Sequence, residues 1–269
     1  MKNKMNKIIG FAILFALFFV KPMIQTESAV LIGTINSNAS ADPTIDGALT
    51  PSEWSDGDQK VFTLYELNNT GDTIQIQIMS LYSTNEIIYF GITVPDTNAT
   101  NDYLLIAFRT NGSSPLILGS TPETMRFGNG NDMKIGFVHN NVTDDAYSLD
   151  YGPEIVFDTD DGGLNNIDGK CHTNSTHVTF EWGIPFNSGD TIGRDFNIWV
   201  GIQMNCFIYY FDDENDKRYS QLRKSESDYD YCQIHLITET PTAGIQLIII
   251  SLSTTSIGIS TVLFKRRKN

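Results

Sequence analysis

Residues 73–94 read TIQIQIMSLYSTNEIIYFGITV, and this stretch decides the fold class. Ile74, Ile76 and Ile78 alternate with Gln75 and Gln77, so one face of the segment is apolar and the other carries amides. That period of two belongs to a half-buried strand. A polar tetrad, Ser83 to Glu86, interrupts the pattern, and Ile88, Phe90, Ile92 and Val94 resume it. Two alternating runs joined by a short polar turn form a hairpin.

Outward from the hairpin, the same signal recurs at 61–67, 103–108, 133–138, 154–157, 177–184, 196–210 and 232–237. No window between residues 42 and 237 holds a 3.6-residue period. Short strands separated by Asn, Asp and Gly predict an all-β, antiparallel β-sandwich over residues 30–237. Trp182 shares a parity with Val178, Phe180 and Ile184 and reads as core.

The run 196–210 is the most informative. Ile198, Val200, Ile202, Met204, Cys206 and Ile208 fall on one parity, an apolar core face. The opposite parity carries Trp199, Gln203, Asn205, Phe207 and Tyr209. Flat rings offer apolar surface to the C–H faces of a sugar, and side-chain amides donate to and accept from its hydroxyls, so these five are candidate glycan-binding residues. The alternative is that the same rings close the sheet under a covering layer.

The ends of the chain place this domain. A basic start (Lys2, Lys4, Lys7), an apolar run from Ile8 to Val20 and small residues at Ser28 and Ala29 predict a secretory signal over 1–29. A short linker, 238–242, leads to 22 uncharged residues, 243–264, long enough to cross a bilayer. The following cluster Lys265, Arg266, Arg267 and Lys268 predicts a cytoplasmic tail over 265–269. The expected location is the cell surface, with a single membrane span and the ectodomain outside. Sequons at Asn38, Asn68, Asn98, Asn111, Asn141 and Asn174 are compatible with glycosylation there. Three cysteines, Cys171, Cys206 and Cys232, allow one disulfide, with the pairing open.

The chain of 269 residues carries 18 basic and 32 acidic side chains, net −14. Eight of the basic residues and one acidic residue lie at the ends, which leaves 10 against 31 over residues 30–264. Such a surface repels phosphate backbones, so nucleic acid is not an expected partner. Asp158, Asp160, Asp161 and Asp168, grouped around Gly162 and Gly163, concentrate hard oxygen ligands and are candidate calcium ligands. The spacing is not that of an EF-hand. A second acidic run, 212–216, follows the aromatic strand. GxSxG, HExxH, the P-loop and GxGxxG are all absent, and no nucleophile, base and orienter stand together, so an enzyme is not expected.

Three landmarks resemble family 9 carbohydrate-binding modules and their relatives. They are Thr44, Ile45, Asp46 and Gly47 followed by Glu53 and Trp54, then EIIYFGITVPD over 86–96, and HVTFEWGIPFNSGD over 177–190. The resemblance implies a β-sandwich that binds sugars without cutting them and is often calcium-stabilised. The same landmarks are similar to those of DOMON-type domains, some of which hold a b-type haem between a Met and a His or Lys. Under that alternative Met79, Met125, Met133 or Met204 would pair with His139, His172 or His177. The leading expectation is a membrane-anchored surface module for extracellular carbohydrate; a haem redox domain and an adhesion protein working through protein contacts are the alternatives.

Overall fold

The computed structural model describes residues 30–67, 71–109, 117–118, 126–127, 131–148, 155–190, 195, 197–221 and 230–237. The expected signal segment, linker, membrane helix and tail fall outside these residues, and among the described residues no helix is long and apolar enough to cross a membrane. The strands in chain order are β1 Val30–Ser40, β2 Asp58–Glu66, β3 Thr73–Ser83, β4 Ile87–Val94, β5 Tyr103–Phe108, β6 Ile117–Leu118, β7 Arg126–Phe127 and β8 Asp132–Phe137. They continue as β9 Val142–Ser148, β10 Ile155–Phe157, β11 Asp168–Thr173, β12 Val178–Pro185, β13 Gln203–Asp212, β14 Lys217–Ser220 and β15 Asp230–Leu236. One 3-10 turn, Asp158–Asp161, follows β10.

The all-β class holds, and the layers are joined where a sandwich would keep two sheets apart. Six strands close a ring in the order β1, β15, β13, β14, β2 and β3, with β3 pairing back to β1. Two wings extend from it: β4, β12 and β11 beyond β3, and β5, β8, β9 and β10 beyond β13. Closure comes from β1, which lies parallel to β15 over residues 30–37 and then pairs with β3 over Asn38, Ala39 and Ser40. The two short strands β6 and β7 pair only with each other.

Between the wings lies the main core. Ile76, Ile78, Phe90, Ile92, Phe180 and Trp182 from one side meet Leu104, Ile106, Phe108, Met204 and Ile208 from the other. The rings of Phe90 and Phe108 are 6.1 Å apart, and burial of each such side chain contributes about 1.5–3 kcal/mol. The disulfide joins Cys206 on β13 to Cys232 on β15, while Cys171 is a half-buried free thiol.

The single strand expected over 196–210 is corrected. Gly201, at φ +94°, turns the chain, the Ile202 N–H bonds back to the Trp199 carbonyl, and β13 starts only at Gln203. Strands β1, β9, β11 and β14 carried no readable alternation: DGKCHT on β11 and KRYS on β14 are mostly polar on both faces.

Candidate functional site

On the outer surface of the first wing the strand registers align one side chain per strand in rows. Val61, Gln77, Thr93, Thr179 and His172 stand opposite one another across β2, β3, β4, β12 and β11. The adjacent row is Gln59, Met79, Gly91, Glu181 and Lys170. The segment 44–57 lies over this second row, because Gly91 leaves space there: a β-carbon at Gly91 would stand 2.6 Å from Leu49 and 3.2 Å from the Trp54 ring.

Glu181 fastens that segment. It is fully buried and accepts from Trp54 Nε1 at 2.9 Å, from the Gly47 N–H at 2.7 Å and from the Asp46 N–H at 3.0 Å. Burial pushes its carboxyl upward while these three donors pull it down. Thr179 adds a bond from its hydroxyl to the Gly47 carbonyl. The opening motif around Asp46 and Trp54 and the later motif around Glu181 are thus one unit in space.

The result is a cleft of about 640 Å³. Its floor is Gln59, Gln77, Thr93 and Thr179; Leu49, Pro51, Trp54 and Met79 form the apolar side, and His172, Asn174 and His177 close the far end. No lining residue carries a fixed charge, in a protein of net −14. Within the described residues the side chains of Gln59, Gln77, Thr93 and His172 make no hydrogen bond. His177 is committed: Asn174 Nδ2 donates to its Nε2 at 2.9 Å and its Nδ1 donates to Thr176 Oγ1 at 2.8 Å.

The residues expected to bind glycan do not gather. Trp199 is 53% exposed on the turn before β13. Phe207 and Tyr209 are buried in a second apolar cluster with Leu105, Met133 and Ile135, on the outer face of the second wing. They cover the sheet and are withheld from a ligand, because this wing is apolar on both faces. Gln203 is exposed, and half-buried Asn205 accepts from Gln233 at 3.2 Å. The outward amides of β3, legible in the alternation of Gln75 and Gln77, were the signal for the cleft; the five-strand row that completes it is a matter of register.

Of the expected metal ligands, Asp158 approaches Asp190 and Asp195, while Asp160, Asp161 and Asp168 stand outside that group. Asp161 instead accepts from the Tyr147 hydroxyl at 2.8 Å, and Asp160 and Asp168 are exposed. Burial, with Asp145 and Asp195 nearby, pushes Asp158 up to about 7. Beside it Lys134, fully buried, pairs with Asp132 at 2.9 Å, with Asp195 at 3.2 Å and with Asp145 at shorter range. Desolvation opposes the Lys134 charge, and these three carboxylates more than offset it, so its pKa rises. The second acidic run serves the turn after β13. Asp102 accepts from the Tyr210 hydroxyl at 2.6 Å and from the Asp213 N–H at 2.8 Å, and Asn215 bonds Asp212.

Asp102 gives a pH dependence. Burial pushes it up to about 8, helped by the Glu214 and Asp96 carboxylates and opposed by the Tyr210 hydroxyl and the Asp213 N–H. A carboxyl raised in the folded state contributes stability below its unfolded pKa and loses it as pH rises through the folded one. Stability should therefore fall between about pH 4 and 8, by at most about 1.4 kcal/mol per pH unit from this group. Urea unfolding across that range checks it: Asp102→Asn flattens the slope, and an unchanged slope refutes the assignment.

No protein-family model matches this chain, and no curated protein matches it.

Proposed function

We propose that the protein is a non-catalytic binding module for neutral extracellular carbohydrate, held at the cell surface by its C-terminal segment, and that the cleft over β2, β3, β4, β12 and β11 is its binding site. One observation carries the reading: a concave surface without fixed charge, in a strongly acidic protein, on which the side chains of Gln59, Gln77 and Thr93 make no hydrogen bond among the described residues. Gln59, Gln77 and Thr93 bond sugar hydroxyls, and Leu49 and Met79 meet the C–H faces. The resemblance of the opening and later motifs to family 9 carbohydrate-binding modules supports the same class, as does the role of Glu181 in joining those motifs into one wall of the cleft.

The test is binding of the full-length protein to a panel of neutral and acidic polysaccharides. Saturable binding to a neutral glycan is expected, weakened about tenfold by Gln77→Ala, since a lost hydrogen bond is worth about 1 kcal/mol or somewhat more. Trp199→Ala should bind as wild type. Absence of binding to every neutral glycan, or full binding by Gln77→Ala together with Gln59→Ala, sinks the proposal.

The haem alternative has one observation in its favour: Met79 and the unbonded His172 line the same cleft. It predicts a Soret band on adding haemin, altered by Met79→Ala and by His172→Ala. A protein that stays colourless disposes of it.

A further inference from the structure

Two segments converge at the β8 and β9 end of the core. One is the 3-10 turn Asp158–Asp161 with the residues just after it; the other follows β12 and carries Asp190 and Asp195. Carboxylate oxygens of Asp158, Asp190 and Asp195 lie within 4.8 Å of one another. Asp158 is 2% exposed, and its Oδ1 is buried with no hydrogen-bond partner. Asp145, a near neighbour, is 1% exposed, and its Oδ2 is in the same condition. Lys134 is ion-paired with Asp132, Asp145 and Asp195, and Asp158 feels its charge without forming an ion pair with it among the described residues.

A buried carboxylate oxygen without a donor is costly, and like charges at this spacing repel. Two of the three carboxylates are also held in place by hydrogen bonds. Asp190 Oδ2 accepts from the Leu164 N–H at 2.7 Å, and Asp195 Oδ2 from Asn166 Nδ2 at 3.1 Å. The Asp158 carbonyl accepts from the Gly163 N–H at 2.7 Å, which closes the turn that carries this carboxylate.

We propose that Asp158, Asp190 and Asp195 hold a divalent cation, calcium, that ties the turn after β10 to the segment after β12. The donors are hard oxygens from three separate points of the chain. Calcium accepts such irregular sets with six to eight oxygens, whereas magnesium demands near-octahedral geometry and keeps its waters. The site stands apart from the cleft, so it holds whether or not the cleft binds a glycan.

The test uses the full-length protein stripped with chelator, then titrated with calcium or magnesium alone, reading bound metal per chain and the unfolding temperature. One calcium per chain and a raised unfolding temperature are expected by about 1 mM calcium, the weak end of extracellular sites, with little effect of magnesium. Asp158→Asn should lose the calcium-dependent rise entirely yet melt at or above wild type without metal, because a buried charge is gone. Asp190→Asn should lose the rise as well, and Asp160→Asn should keep it. No calcium response in wild type, an equal response to magnesium, or a full response in Asp158→Asn and Asp190→Asn overturns the proposal.

Discussion

Lys134→Ala is expected to destabilise the fold by about 3–5 kcal/mol, the cost of removing one partner from a buried ion pair. All three charges are almost wholly enclosed: the Lys134 side chain is 2% exposed, Asp132 2% and Asp145 0%. At a surface the same pairs would contribute about 0–1 kcal/mol, and the difference is the desolvation that the ammonium now offsets. Lys134 and Asp145 stand directly opposite each other on β8 and β9, so the loss falls on the ladder that carries the second wing. Urea unfolding in the presence of chelator is the measurement, so that no bound cation compensates. Asp145→Asn with Lys134→Met should cost clearly less than the two single changes summed, since a matched removal leaves less uncompensated charge. Additive losses, or a Lys134→Ala protein within about 1 kcal/mol of wild type, contradict this account.

Glu181→Ala should cost about as much through a different route. It strands three donors, Trp54 Nε1 and the N–H groups of Asp46 and Gly47, each worth about 1–3 kcal/mol when left buried and unsatisfied. Trp54→Phe, which removes one donor together with its demand, should cost less. Because Glu181 fastens the segment 44–57, its loss also releases the apolar side of the cleft, and glycan affinity should fall with stability. Hydrogen exchange at the Gly47 amide reads the local event: strong protection in wild type, lost in Glu181→Ala. An amide that stays protected in the variant would show that Thr179 and packing on Gly91 suffice to hold the segment.

How much of this was legible in the sequence depended on whether one face of an element was polar. The hairpin of β3 and β4 was, since Ile76 and Ile78 face the core while Gln75 and Gln77 do not. The strand β5, apolar on both faces, was legible instead as a short apolar run between polar segments, although its register against β13 was not. The aromatic face of β13 misled for a definite reason: a wing buried on both sides writes apolar residues on both parities, and alternation alone does not tell a binding platform from a second core. The turn at Gly201 was hidden because Ile198, Val200 and Ile202 continue the strand parity through it. In the acidic loop, sequence proximity grouped Asp158 with Asp160 and Asp161, whereas the 3-10 turn sends the latter outward and the chain returns Asp190 and Asp195 from about thirty residues on.

The ring closure by β1 and β15 also settles how the domain bears load. The two strands run parallel, with Val30 opposite Asp230 and Ser37 opposite Leu236, so the described chain enters at one end of this ladder and leaves at the other. A pull between those ends slides the strands along each other and strains the ladder bonds together, where an antiparallel hairpin pulled at its open end would lose its bonds in succession, like a zip. Cys232 ties β15 to Cys206 two residues into the strand, so tension on the outgoing chain passes through a covalent bond into β13.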